Sequence, residues 1–392
     1  MIEKNYLNIE HNDIEINVNI KIGDLDNITF YNPYLFKLIN KYKTCIESIN
    51  ENWDNIKKLS NDYELISNPS DNINSIAKYK PLSRSYYKLF EINKDFNIIP
   101  TKKKIKYAGL AEAPGGFIEC IYKFRRNLFL GLDDERYCIT LVEQDSHIPN
   151  FKKLSKLIND TIISNGSDGT GNLYKLENIK YFRKQVGYNT VDLVTADGGF
   201  DYTNGYESQE ISSRQLIFCE TVQALSINCK GGSFVLKIFD ICTQFMLELI
   251  IFLSKYYDEV NCIKPFTSRP ANSEKYLVCK NYRGIDDNML NRLYEIVDVW
   301  DKLPPNKTID TIFNISNTLY YPIIDEYNNI FTINQIENIL KTLILSKIKL
   351  RHNDLKYIKA KQAVHSIEWC FKYDVEINLL CKYIKNNFIN IN

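Results

Sequence analysis

The chain is poor in the residues that hold metals. Its four histidines, His11, His147, His352 and His365, are scattered along 392 residues, and its ten cysteines include no C-x-x-C pair. That pattern excludes the common structural zinc sites. Long apolar runs are also missing. The richest window, "FMLELIIFLSKYY" from Phe245, carries Glu248 and is too short to span a bilayer. The N-terminal "MIEKNYLNIEHNDIEI" is charged and lacks a signal-peptide core. Neither sign of charge dominates. Lys plus Arg is 49, Asp plus Glu is 48 and the net charge is +1, so any nucleic-acid site must be a local patch. "GSDGTGN", Gly166 to Asn172, looks like a phosphate loop, but no Gly-Lys-Ser/Thr follows it. There is no internal repeat. What remains is an ordinary globular composition, 44% hydrophobic and 25% charged, expected of a soluble, reduced, intracellular protein that takes no metal and meets no membrane.

Three regions are expected. Residues 1–70 form an N-terminal accessory region. It opens with a period-two stretch, "IEINVNIKI" (Ile14 to Ile22), and then turns helical from Asn32-Pro33. "SNPSDN", Ser67 to Asn72, is a turn-rich boundary. Residues 75–284 alternate short apolar runs ("IKYAGLA", "YCITLVE", "VDLVTAD", "GGSFVLKIF", "NCIKPF", "KYLVCK") with helical stretches. That is the pattern of an α/β domain with a mostly parallel sheet. The last two runs are joined by only "TSRPANSE", too short for a crossover helix, so they are expected to pair antiparallel. Residues 285–392 read as mostly helical, with "TINQIENILKTLILSKIKL" the clearest amphipathic run.

Open α/β sheets bind ligands beyond the carboxyl ends of their strands. One such end is "GLAEAPGGFIEC", Gly109 to Cys120, where an apolar run breaks at Pro114-Gly115-Gly116 and resumes as a helix. Glycine there allows a tight turn and leaves bare backbone for a ligand. Two more ends bring Asp197, before Gly198-Gly199, and Lys237, after Ser233-Phe234-Val235-Leu236. Each residue alone has an ordinary explanation. Asp197 is a natural turn former, Lys237 an edge lysine with its head in water, Glu274 a solvated charge at a strand start, and Lys88 a helix surface residue.

Together these blocks resemble the FtsJ-like, Rossmann-fold RNA ribose 2′-O-methyltransferases. Within them they look most like the messenger-RNA cap enzymes of eukaryotes and large DNA viruses. "SRSYYKL", "EAPGGF", "TADGGF", "GGSFVLKIFD" and "TSRPANSEKYLVCK" stand in the family's order over about residues 80 to 284. The resemblance implies a Rossmann-like methyltransferase sheet, mostly parallel with an antiparallel last strand and with helical or mixed flanking regions. It implies a Lys-Asp-Lys-Glu catalytic tetrad at Lys88, Asp197, Lys237 and Glu274. S-adenosyl-L-methionine is expected at Ala111, Glu112, Ala113, Pro114, Gly115, Gly116 and Phe117, at Asn172 and Leu173 for the adenine, and at Asp197. Glu143 or Asp145 would meet the ribose of the cofactor. Two positions depart from the family. Gly109 stands where an acid often ends the first strand, with Glu112 the nearest carboxylate, and Asn172 replaces an aspartate.

The implied reaction is methyl transfer to a ribose hydroxyl at the 5′ end of capped RNA. A ribosomal- or transfer-RNA methylase is the alternative within the same chemistry, and a silent RNA-binding capping subunit the alternative outside it. Displacement at a sulfonium carbon needs no Lewis acid. It needs the hydroxyl positioned and its proton taken, with Lys237 the candidate base. Burial and Lys88 would lower its pKa, while Asp197 and Glu274 would raise it. Arg84, Lys264 and Arg269 are expected to meet phosphates, Arg269 being equally placed to partner a carboxylate. Other capping enzymes or RNA polymerase are further candidate partners, in cytoplasm or nucleus, or in the host cytoplasm or virion of a virus.

Overall fold

The computed structural model describes residues 6–11, 14–68, 72–142, 150–199, 209–315 and 319–385. In chain order the elements begin with β1 (Tyr6–Glu10), β2 (Ile16–Asp24), α1 (Pro33–Thr44), α2 (Asn50–Ser60) and α3 (Ser85–Phe96). The alternating part follows: β3 (Lys106–Leu110), α4 (Gly116–Asn127), β4 (Glu135–Ile139), α5 (Lys152–Leu157), β5 (Thr161–Ser164), α6 (Leu176–Val186), β6 (Val191–Ala196), α7 (Gln209–Ile227), β7 (Asn228–Ile238), α8 (Gln244–Tyr256), β8 (Tyr257–Ile263) and β9 (Lys275–Tyr282). The chain then runs through α9 (Asp287–Asp301), β10 (Lys307–Ile315), α10 (Tyr321–Lys347) and α11 (His352–Tyr373).

The central sheet has the order β1-β8-β9-β7-β6-β3-β4-β5. The strands from β5 to β7 are mutually parallel, and β9 is antiparallel to both β7 and β8. β6, "VDLVTA", is buried at every position, as a central parallel strand covered on both faces must be. Strand order reverses at β3, which has β4 on one side and β6 on the other, and this is where such sheets open a ligand crevice. The short antiparallel connection expected between "NCIKPF" and "KYLVCK" is present as β8 and β9, and β9 fills the gap between β8 and β7.

The flanking segments hold two strands that periodicity did not separate out. β1 extends the sheet beside β8, and β2 pairs antiparallel with β10, a strand inside the region expected to be mostly helical. β10 explains the apolar window of α8. That helix is buried almost all round because the sheet covers one side and β10 the other, with Phe252 and Phe313 stacked at 4.3 Å. Its one acid, Glu248, accepts the amides of Ile312 and Phe313, which is why a carboxylate is tolerated there. Asn32 caps α1 as expected, its Oδ1 accepting the Leu35 amide at 2.9 Å. Among the described residues no helix is long and apolar enough to cross a membrane.

Candidate active site

β3, β6 and β7 end on one edge of the sheet, and the antiparallel β9 begins there. Register does the rest. Lys237 on β7 faces Tyr276 on β9, and residues directly opposite share a face. Glu274 precedes Tyr276 by two positions, so it falls on that face too. Lys88 comes from α3, which packs over the same side. The result is two ion pairs, Lys88 Nζ to Glu274 Oε1 at 2.7 Å and Lys237 Nζ to Asp197 Oδ1 at 3.3 Å. Lys237 also donates to the Asp197 carbonyl at 2.8 Å, and the Tyr276 hydroxyl donates to Asp197 Oδ1 at 2.9 Å. Ser268 Oγ donates to Glu274 Oε1 at 2.9 Å. The structure thus brings together all four residues that were expected to act as one group.

Charge within the group is strongly biased. Burial would raise the Glu274 carboxyl, but Lys88, Lys237 and Lys264 outweigh it and hold the carboxyl well below its usual range. Burial would lower Lys237, yet Asp197, Glu274 and Glu220 outweigh that and keep the ammonium above its ordinary value. Without ligands Lys237 is therefore charged, and the lowering expected from burial and Lys88 is overcome. Burial, with Asp197 and Glu274 adding to it, pushes the Tyr276 phenol well up, so it remains a donor.

The glycine turn is packed closely against its neighbours. Gly115 has φ +101°, and a Cβ there would lie 2.7 Å from Leu154 Cδ2. A Cβ on Gly116 would fall 2.2 Å from Ser85 Oγ and 2.3 Å from Ser83 Oγ. Gly115 is favoured by its left-handed backbone, and both glycines allow the close approach of Leu154, Ser83 and Ser85. Phe117 is fully buried, its ring 5.8 Å from Tyr276. Pro114 and Ala113 complete the turn ahead of α4, whose first turn has no side-chain cap.

Glu112 resolves the first departure. Its carboxyl folds back to the end of β3, where a Cβ on Gly109 would meet Glu112 Oε1 at 2.3 Å. Tyr107 Oη and Thr195 Oγ1 donate to its two oxygens at 2.5 and 2.6 Å. Burial pushes this carboxyl well up despite those donors. Ala111, beside it, has φ +50°. Gly198 is glycine because Glu220 lies beneath it, with Oε1 2.3 Å from the position a Cβ would take. Burial pushes Glu220 up to about 8, Lys237 opposing and Asp197 adding to the shift.

The second departure sits in a rigid loop. Asn178, fully buried, accepts the Ser167 amide at 2.8 Å and donates to Asp168 Oδ1 at 2.9 Å and to the Asn172 carbonyl at 3.0 Å. Gly171 has φ +63°, and its Cβ position is 2.0 Å from the carbonyl of Thr140, just past β4, which fixes the loop at the carboxyl edge. Asn172 Oδ1 is taken by the Tyr174 amide at 2.9 Å, and Leu173 is buried in the core. Glu143 and Asp145 lie outside the described residues.

The cations expected to meet phosphate are engaged internally. Arg269 forms a fork with Glu64, Nε to Oε2 at 2.9 Å and Nη2 to Oε1 at 2.8 Å, so the carboxylate alternative holds. Arg84 Nη1 donates to the carbonyls of Ser67 at 2.8 Å and Glu64 at 3.1 Å. Lys264 Nζ donates to the carbonyls of Asn272 at 2.5 Å and Glu274 at 2.9 Å, and burial with Lys275 beside it lowers its pKa to about 7. Lys264 and Arg269 tie down the loop that carries Glu274, and Arg84 holds the segment after α2. Sequence reasoning missed Asn178, which ties its own preceding loop, and Glu64, Glu91, Glu220 and Tyr276, whose partners include distant segments.

The strand order and the crevice at its switch point are those of a Rossmann-like methyltransferase. The chain belongs to the FtsJ-like methyltransferase family, whose model matches residues 81–282. It is 31% identical to the cap-specific mRNA (nucleoside-2′-O-)-methyltransferase 1 of Dictyostelium discoideum, over 94% of this chain and 50% of that protein. The mouse enzyme of the same name is 38% identical over 46% of this chain and 22% of its own length. The zebrafish enzyme is 30% identical over 69% of this chain and 34% of its own. The chain thus spans half or less of the curated relatives it matches.

Proposed function

We propose that this chain methylates the ribose 2′-hydroxyl of RNA, using S-adenosylmethionine, at the first transcribed nucleotides of capped messenger RNA. The observation that carries this is the pairing of Lys88 with Glu274 and of Lys237 with Asp197 at the switch-point edge. The names of the relatives support the cap as the substrate.

The crevice suits the cofactor on its own chemistry. The uncapped amide end of α4 favours an anionic group such as the methionine carboxylate. The Asp197 carboxylate at the end of β6, already paired with Lys237, favours a cation. The turn from Ala111 to Phe117, the Asn172-Leu173 loop and Asp197 are the residues that would hold it. When bound, S-adenosylmethionine supplies an electrophilic methyl group on a sulfonium.

Lys237 spends two donors on Asp197 and keeps a third for the acceptor hydroxyl. As an ammonium it orients the lone pair of that oxygen. As the neutral amine, populated when a second positive charge enters the crevice, it takes the proton. Asp197, itself fixed by Tyr276, sets the direction of Lys237. Glu274 holds Lys88 in place and keeps the group's net charge low. Positioning of this kind accounts for several kcal/mol of a barrier, on the order of the effective-molarity range. The test is competition between capped and triphosphate-ended RNA of one sequence, with the modified position mapped. Preference for the capped RNA, at a nucleotide adjoining the cap, is expected. Equal use of both, or an internal site, leaves a general RNA ribose methylase instead.

A further inference from the structure

An open cavity of about 570 Å³ is walled by Tyr63, Phe266, His365, Trp369 and Phe371, with Glu368 and Lys372 also in its lining. Its rings are arranged as a platform. Tyr63 and Phe266 lie 5.0 Å apart and 34° from parallel, and Tyr63 and His365 lie 5.9 Å apart. Phe371 is 75% exposed, while Trp369 is 2% exposed and forms the floor. The platform is built into the same frame as the tetrad. Glu91 accepts the Trp369 indole N–H at 3.2 Å and the amides of Phe266 at 2.7 Å and Thr267 at 3.1 Å. Glu91 stands nearly one helical turn beyond Lys88 on α3, and Phe266 opens the loop that ends in Glu274.

We propose that this cavity is a stacking subsite for an unpaired base of the RNA, downstream of the nucleotide whose ribose is methylated. The proposal rests on the reading of RNA as substrate. Every base offers a π-face, and a chain with net charge +1 has little general attraction for a strand, so ring stacking has to contribute to holding it. Lys372 favours a neutral base with a flanking phosphate over the cationic 7-methylguanine of a cap, its ammonium lying 5.2 Å from the centre of the Phe266 ring, while the opposing charge of Glu368 faces His365 at 3.4 Å.

Phe371 is exposed, so its replacement leaves the core untouched. Binding of a capped dinucleotide and of a capped RNA of about ten nucleotides would be followed by fluorescence anisotropy for Phe371→Ala, Phe371→Leu and Phe371→Trp. Phe371→Ala and Phe371→Leu are expected to weaken the longer RNA about tenfold, the loss of one base–aromatic stack, and to leave the dinucleotide and cofactor affinities unchanged. Phe371→Trp keeps the wild-type affinity. Equal affinity of Phe371→Ala for the longer RNA overturns the subsite. So does a matching loss with the dinucleotide, which would put the cap base there, or a normal Phe371→Leu, which would reduce the ring to apolar area. A wild-type chain that shows the Phe371-dependent binding but transfers no methyl group would refute the functional reading while the subsite stands.

Discussion

Replacing Tyr276 by Phe removes one oxygen and leaves the ring against Phe117. What is lost is the hydroxyl that donates to Asp197 Oδ1 at 2.9 Å. A hydrogen bond to a charged acceptor contributes about 1.5–3 kcal/mol. Lys237 remains on the same carboxylate, so Asp197 is not stranded, and the cost falls at the lower end, about 1.5 kcal/mol. If Asp197 directs Lys237 at the acceptor, most of that loss appears in the barrier, a fall of about tenfold in kcat. Cofactor affinity should be unchanged, because the hydroxyl faces Asp197 from the β9 side. The assay is single-turnover methyl transfer at saturating cofactor, with denaturant unfolding of the same protein. A variant as fast as wild type would show that Asp197 needs no support from β9 and would refute the positioning chain from Tyr276 to Lys237.

Four further outcomes follow from the same geometry. Lys237→Ala should lose nearly all transfer yet bind cofactor, and Lys237→Arg should also fail because a guanidinium cannot give up its proton; single-turnover rates and calorimetry check both. Gly116→Ala should destabilise the fold by about 1–3 kcal/mol, since the new methyl group meets Ser83 and Ser85, and the unfolding midpoint reads it. Arg269→Ala should cost about 1.5–3 kcal/mol by removing the fork to Glu64, which keeps Arg84 and Asn61 as partners, and should leave the salt dependence of RNA binding unchanged; a reduced salt slope would give Arg269 a phosphate role. Glu220 gives a pH signature. Its pKa is about 8 folded against about 4.3 unfolded, so the folded state binds the extra proton between these values. That contribution to stability is present at low pH and is lost as pH rises through 8. Glu220→Gln should flatten the decline, which unfolding curves taken across that window will measure.

Much of the site was legible because its residues sit in short blocks at strand ends, where the chain order alone brings them to one edge. Lys237 and Asp197 fall there by the alternation of strand and helix. The supporting residues were hidden because their roles depend on long-range register. Tyr276 matters only because β9 inserts between β8 and β7, and Glu64 only because the loop after α2 reaches Arg269 and Arg84. β5 was missed for a different reason: its Ile162 and Ile163 are partly exposed on an edge, so it carries little apolar signal. The glycine turn was recognised, while the close approach of Leu154, Ser83 and Ser85 to it was not, because these residues come from other segments.

The proposed acceptor of the methyl group is a ribose 2′-oxygen. Its most direct test is transfer from labelled S-adenosylmethionine to capped RNA, followed by nuclease digestion and mass spectrometry of the nucleotides. The same RNA with a single 2′-deoxy residue at each cap-proximal position serves as the control. Label is expected on the 2′-oxygen of a cap-proximal ribose, and none when that one hydroxyl is absent. Label on a base, or transfer that persists without the hydroxyl, would contradict it.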